Sequence, residues 1–395
     1  MNKIIFKISL VLLAVATLGL TSCKDPDKDD GHKNQFEVVA DNFKGDIPSG
    51  DDIVLDANTT YFLSGTLRVK DGAKLTIPAG TVIKGKNIQG INAFYNYIIV
   101  EQGGKIFING TPDKPVIMTA ELEQPGSWGG LIVNGRAPIS GPNTSDNVGT
   151  TEVDTELLYG GNDVNDNSGV IKYLKLLYTG ANLDGDTEHN GLTLNGVGAG
   201  TTIENIYVEA CNDDAIEFFG GSVNVTNLLA VDPDDDMFDF TQGYTGTLKN
   251  CYGIWQADYL STEEDPRGVE ADGNLDGVGS DHYNQSDFKI VDMTIDIRST
   301  GANVYMHDAI KVRRGAKAEI INALVKGNGI VKDLIDLKDR KGNAHEGTKI
   351  NVTNSLENPL TGELINIEGE NSNIIIEAGN TGANTSVFSW TGFRF

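Results

Sequence analysis

Apolar and polar residues alternate along this chain in short runs, rarely more than five residues long, separated by Gly, Asn and Asp. Alternation at period two is the pattern of a strand with one face buried. Ile216, Phe218, Phe238, Phe240, Ile310 and Val312 fall on the inward phase. Glu217, Asp239, Glu270 and Lys311 fall on the outward one. No long amphipathic helical stretch is present.

The runs recur. Ile203–Gly221 lies on Val225–Gly243 at a constant offset of 22 residues, with Asn205 on Asn227, Asp213 on Asp235, Asp214 on Asp236 and Glu217 on Asp239. Asn250 continues the series. Looser copies follow at 268–273, 307–315, 332–338 and 362–369, and one precedes at 190–196. One such unit cannot bury its own apolar face, whereas stacked units can. A β-propeller blade is about twice as long. The pattern predicts an all-β, single-stranded, right-handed parallel β-helix over residues 46–395, with coils of about 22 residues and a loop insertion near 256–287. Asn205, Asn227, Asn250 and Asn322 are expected to stack as an internal ladder. Short strands at 65–85 and 97–110 supply the first coils. A segment before Ile53, and Trp390, Phe393 and Phe395 at the far end, are expected to cap the open ends, because unpaired strand edges need cover.

The N-terminus carries a different signal. Lys3 and Lys7 precede an uncharged apolar run from Ile8 to Leu20, and Leu20-Thr21-Ser22-Cys23 follows as a lipobox. This reads as a signal peptide over residues 1–22 and lipidation of Cys23. Residues 23–45 form an acidic tether, opening with Lys24-Asp25-Pro26-Asp27-Lys28-Asp29-Asp30. The expected location is the outer membrane, anchored by lipid and exposed at the cell surface.

Charge narrows the partners. Removing residues 1–22 deletes Lys3 and Lys7 and takes the formal charge from −25 to −27. Such a surface repels phosphate backbones, which argues against nucleic acid. Only Cys211 and Cys251 remain beyond Cys23. They read as buried free thiols, so the fold must rest on its core.

Stacked aspartates offer chemistry. Neighbouring rungs lie ~4.8 Å apart, so Asp213 over Asp235, and Glu217 over Asp239 near Glu270, crowd carboxyls on one face. Crowding raises carboxyl pKa values and can supply a protonated acid. The alternative role for Asp213, Asp214, Asp235 and Asp236 is to accept backbone N–H groups at each corner. Asp232, Asp234, Asp235 and Asp236 also form a candidate Ca²⁺ site, a cation that takes 6–8 oxygen ligands. Glu263, Glu264, Asp265, Asp272, Asp276 and Asp281, and the 184–188 segment, are further acidic loops. Trp255, Tyr259 and Tyr283 sit beside those acids as candidate sugar platforms. His307, Lys311 and Arg313 could take an anion or a sugar acid. His32, His189, His282, His307 and His345 show no zinc-ligand spacing.

Three stretches together resemble a family of right-handed β-helix lipoproteins of Gram-negative, Bacteroidota-type bacteria. They are Pro125–Gly135, His189–Gly198, and Asp213–Gly221 with its copy Asp235–Gly243. The resemblance implies the fold and the envelope location. A weaker, partial likeness is to polygalacturonase-type β-helix hydrolases, carried by Asp213-Asp214 and Asp235-Asp236. Their Asn-x-Asp and Gly-His-Gly elements are missing, and Ile310-Lys311-Val312-Arg313 has the charges of their Arg-x-Lys element in another order. The expected role is a surface binding or adhesion protein for glycan or protein. The alternative is a polysaccharide hydrolase or lyase.

Overall fold

A computed structural model describes residues 34–395, apart from Gln89, Ile91, Thr144, residues 184–186, 302–303, 370 and 372. The signal peptide, Cys23 and the first part of the tether lie outside the described residues, as does part of the 184–188 segment.

The chain winds as a parallel β-helix. One stack consists of strands bent in the middle: Gly169–Leu177, Thr202–Glu209, Asn224–Val231, Thr247–Trp255, Asp287–Ile297 and Lys317–Gly327, each parallel to the next. A second stack, called here the site sheet, runs through Leu192–Asn195, Ile216–Phe219, Phe238–Thr241 and Val269–Ala271. Isolated bridges carry it on to Met306–Lys311 and Val331–Asp336.

Each bent strand turns at one left-handed residue, in register up the stack: Tyr173, Asn205, Asn227, Asn250, Asp292 and Asn322, with φ between 50° and 61°. Asparagine tolerates this conformation because its short amide bonds locally. The Asn227 amide donates to Asn205 at 3.0 Å across 22 residues, and Asn250 donates to Asn227 at 2.9 Å across 23. The ladder read from the sequence is present, with one interruption. Asp292 takes a corner between Asn250 and Asn322, and Asn322 donates to it at 2.7 Å. Coils lengthen outside the central repeat, to 30 residues between Asp292 and Asn322.

The inward phase is as expected. Ile216, Phe218, Phe238, Phe240, Ile310 and Val312 are fully buried. Stacking like over like builds an aromatic column, with Phe218–Phe240 at 5.0 Å and Phe240–Phe288 at 4.4 Å, each pair contributing about 0.5–1.5 kcal/mol beyond burial. Cys211 and Cys251 are buried free thiols.

Two expectations need correction. The insertion near 256–287 is not one loop, because the copy read at 268–273 divides it, with Val269–Ala271 a rung of the site sheet. The C-terminal aromatics do not close the end of the stack. A 3-10 helix, Thr385–Thr391, and the residues after it lie along its side. There Phe388, Trp390 and Phe393 cover Tyr207, Leu229 and Tyr252, which point outward from the bent strands. The strap is pinned by Asn384 N–H donating to the Asn250 side chain at 2.7 Å and by Lys175 donating to the Thr391 carbonyl at 2.5 Å. An outward apolar stripe needed cover more than the end did. At the other end a cap is present, with Phe36 packed on Phe43 and its N–H bonded to Asp51 at 2.7 Å.

Asn227→Ala removes two ladder bonds and puts a β-carbon without a compensating amide at a left-handed corner. A loss of about 2–4 kcal/mol in unfolding free energy is expected, read as a lower denaturation midpoint. Asn227→Gly, which relieves the backbone cost, should lose about half as much.

Candidate functional site

The site sheet carries two outward or corner rows. The first is Asp214, Asp236, Arg267, Asp308 and Asp333. The Asp214 side chain accepts the Asp236 N–H at 2.8 Å, and the Asp236 side chain accepts the Arg267 N–H at 2.7 Å. Each carboxylate caps the same corner of the next coil. Asp214 and Asp236 are 6% and 1% exposed, so they hold the turn rather than face solvent. Asp213 and Asp235, one residue earlier, are half-buried.

The second row is Thr193, Glu217, Asp239, Glu270, Lys311 and Asp336. Its acidic half is tightly packed. Oxygens of Asp214, Glu217 and Asp239 lie within 4.8 Å of one another, as do those of Asp236, Asp239 and Glu270, and those of Asp213, Asp214 and Asp235. Burial first, and then the charge of Asp239 and Glu152, push the Glu217 carboxyl well above its ordinary range. Asp239 is also raised, by burial and by Glu270, while a hydrogen bond from Glu217 pulls it back. The hydrogen bond between the two carboxyls raises Glu217 and lowers Asp239. Asn190 donates to the other face of Glu217 at 2.6 Å. Asp213 is raised by burial, then by Glu188 and Asp235, and Asp235 is pushed up to about 7 by burial and Glu270.

Further along, the charges are matched. Arg267 pairs with Asp265, Glu270 and Asp308. Arg313 pairs with Glu270 and Asp272, and Arg314 with Asp272 at 2.5 Å. Lys311 donates to Asp336 at 2.5 Å and to the Lys338 carbonyl at 2.9 Å.

An antiparallel hairpin, Val148–Thr151 with Asp154–Gly160, roofs the acidic half. Arg68 holds it at Asp154 (2.6 Å), the Asn134 amide at Thr151 (2.8 Å), and Tyr159 O–H at Gln242 (2.7 Å). Between roof and sheet lies a cavity of about 570 Å³, lined by Glu152, Glu188, Asn190, Thr193, Asn195, Phe219 and apolar hairpin residues. Glu152 is surrounded by protein yet keeps much of its surface open to this cleft. Burial, opposed by the Glu188 N–H and reinforced by the Glu188 charge, brings its carboxyl up to about 7.

The sequence reading missed the hairpin and Glu152, placed Glu188 only in an acidic loop, and read Asn190 and Asn195 only as parts of a strand. The hairpin falls between coils, outside the 22-residue register. Its signal was two alternating runs about Glu152-Val153, ending in Gly160-Gly161.

Other candidates sit elsewhere. The proposed grouping of Asp232 and Asp234 with Asp235 and Asp236 is not formed. The Asp232 carboxylate takes the Gln256 N–H and side-chain amide, both at 2.7 Å. Asp234 accepts from Tyr259 at 2.7 Å and from Thr262. Both acids anchor the segment after Trp255 instead of converging on an ion. Trp255 is fully buried with its indole N–H on the Pro233 carbonyl. It has no face for a sugar, and Tyr259 packs against it. His307 does occupy the coil position of Asp213 and Asp235. Its ring lies 3.0 Å from Asp308 and 2.9 Å from Lys332, which fills both nitrogens. His189 is buried and bonded to the Phe94 carbonyl at 2.9 Å, and burial drops it to about 3.

Comparison with known protein families agrees with this architecture. No curated protein matches the sequence. Among solved structures, the catalytic domain of a GH87 alpha-1,3-glucanase in complex with tetrasaccharides aligns at 10% identity and a TM-score of 0.25, covering 84% of this chain and 58% of that one. The chain thus spans less than two thirds of that structure. A family model, the pectate-lyase-like β-helix domain, matches residues 45–392 and supports a carbohydrate-related role. With nearly the whole described coil inside that match, the chain belongs to the pectate-lyase-like β-helix family.

Proposed function

We propose that this protein is a lipid-anchored surface hydrolase that cleaves a neutral polysaccharide in the cleft beneath the Val148–Gly160 hairpin. One observation carries the reading: Glu217, Asp239, Asp213 and Asp235 are crowded and half-buried or buried, and Glu152 faces the cavity of ligand size beside them. Crowding like charges destabilises a fold and adds nothing to simple adhesion. It does supply what glycoside hydrolysis needs, an acid that holds its proton at neutral pH and a second carboxyl that loses it. Glu217 is the acid in this reading, with Asp239 sharing its proton. Glu152, near 7 and facing the same cleft, is the base or nucleophile. Family membership supports a glycan as substrate. The acidic walls disfavour uronic polymers, because like charge at close range opposes binding.

The second reading is a binding or adhesion surface, favoured by exposed Tyr283 and Tyr305. Calcium is the alternative to protons as the counter-charge, and the oxygens of Asp213, Asp214 and Asp235 are where it would sit.

Three outcomes follow. The full-length protein in detergent should release reducing ends from a neutral polysaccharide in a panel of neutral and uronic polymers. Glu217→Gln should lower that rate at least ~100-fold, as loss of a general acid does, with little change in melting temperature. Asp236→Ala should do the reverse, costing about 1–3 kcal/mol of stability through the orphaned Arg267 N–H while sparing the rate. No release from any polymer supports the binding reading, and release that stops with a chelator and returns with Ca²⁺ supports the ion.

The second outcome concerns pH. Glu152 and Asp235 have folded-state pKa values of about 7, above their ordinary 4.5 and 3.8. The folded chain holds protons that the unfolded chain releases, so the stability they contribute is complete below about pH 4 and is lost as pH rises through 7. Melting temperature should fall between pH 5 and pH 8, and fall less in Glu152→Gln/Asp235→Asn. An unchanged slope in that double variant counts against the crowding.

The third outcome concerns location. Cys23→Ser should move the protein from the membrane fraction to the soluble one.

A further inference from the structure

The cavity under the hairpin has an unusual lining. Its roof and floor are apolar where Ile132, Val153, Leu158 and Phe219 meet, and acidic at the Glu152–Glu188 side. Two asparagines line it. Asn190 is 3% exposed and Asn195 is 2% exposed. Each spends its N–H groups on the protein: Asn190 on Glu217 at 2.6 Å, and Asn195 on the Asn134 side chain at 2.9 Å. The side-chain oxygen of each is buried and has no donor among the described residues. Buried acceptors without donors are uncommon in folded chains, and each calls for an explanation.

The two oxygens ask for a ligand that donates hydrogen bonds, and the apolar walls ask for one that carries a hydrophobic group. The acidic rim excludes a negative charge. A plain hexose donates bonds but leaves the apolar wall uncovered. A uronate brings its own carboxylate against Glu152 and Glu188. An acetamido sugar meets all three conditions: its amide N–H and hydroxyls donate, its methyl is apolar, and it is neutral.

We propose that the cavity is a subsite for a single N-acetylated hexosamine, with Asn190 and Asn195 accepting from the sugar and Val153, Leu158 and Phe219 enclosing its acetyl methyl. The proposal rests on the reading of this cleft as glycan-cleaving and names the substrate class for it. The volume of about 570 Å³ lies in the ordinary range of ligand pockets. Glu217, held by Asn190, then stands at the edge of the occupied subsite, where a glycosidic oxygen would emerge.

The test is saturation-transfer NMR on the full-length protein with N-acetylglucosamine, N-acetylgalactosamine, glucose and galacturonic acid, each titrated for affinity. At least one N-acetylated sugar should bind tenfold or more tightly than glucose or galacturonate, with its acetyl methyl the most strongly saturated group. Asn195→Ala should weaken that binding at least tenfold. Because Asn195→Ala also orphans Asn134, Leu158→Trp is the companion variant. Leu158 is 52% exposed on the hairpin, so the larger ring should leave the melting temperature unchanged while filling the cavity and abolishing binding. Equal binding of glucose, or binding unaffected by Leu158→Trp, overturns the subsite. Turnover of a neutral glucan without acetamido groups would overturn it too, yet leave the hydrolase reading standing. Absence of both sugar binding and turnover overturns the two together.

Discussion

Parallel register is the constraint on which everything else here depends. In a parallel coil each residue lies directly over its counterpart one turn below, about 4.8 Å away, so whatever a position carries is stacked on its own kind. Where the position points inward, stacking is favourable: Phe218, Phe240 and Phe288 form a column. At the bent corner, Asn205, Asn227 and Asn250 pass a hydrogen bond from turn to turn. Where the position points outward and carries an acid, the same geometry is a liability. Glu217 stands over Asp239 and Asp239 over Glu270, a row that simple exposure to water would have made harmless. That exposure is limited: Asp239 is buried and Glu217 and Glu270 are half-buried.

Along the sheet the protein answers this repulsion in two ways. From Glu270 onward it uses cations, since Arg267, Arg313 and Arg314 match the acids almost one for one. Short of Glu270, no salt bridge to Glu217, Asp239, Asp235 or Glu152 is formed among the described residues, and burial and like charge push these carboxyls up toward holding protons. One face of one sheet therefore holds a half matched by cations and a half of crowded carboxyls, separated by a single coil. A carboxyl neutralised by arginine is locked in one state. A carboxyl neutralised by a proton can give that proton away, and Glu152, which lines the cavity, is of the second kind, whereas Asp276 at its far side is paired with Arg314.

The fold was legible because its evidence is periodic. The offset between Asn205 and Asn227 fixes a coil, and the alternation about Phe218 and Phe240 fixes which side is interior. The candidate site was half legible. Glu217, Asp239 and Glu270 were placed on a common outward row from the repeat alone. The repeat also drew attention to Asp214 and Asp236, whose regular recurrence reflects their backbone-capping work. Glu152, Asn190 and Asn195 are not repeated, and Glu152 arrives on a hairpin whose position depends on Arg68, Asn134 and Gln242, all distant in sequence. Trp255 misled for a related reason. It closes a bent strand, and its place in the core is set by the turn at Pro233, which local composition does not reveal.

Periodicity thus marks what the coil needs for itself, and departure from periodicity marks what has been added to it. The additions are specific here. The hairpin between the Asn134 and Gly169 strands brings Glu152 to the cavity beside Asn190 and Thr193. The segment after Trp255, pinned by Asp232 and Asp234, carries Glu263, whose charge helps raise both Asp213 and Asp235. Two insertions far apart in the chain thereby act on the same few carboxyls, one by excluding water and one by adding negative charge, and both move them in the same direction, toward holding a proton. A scaffold evolved only for rigidity would gain from the reverse arrangement, with water admitted and cations placed there. The convergence of both insertions on one cluster is the strongest physical reason to regard that cluster as the working part of the molecule.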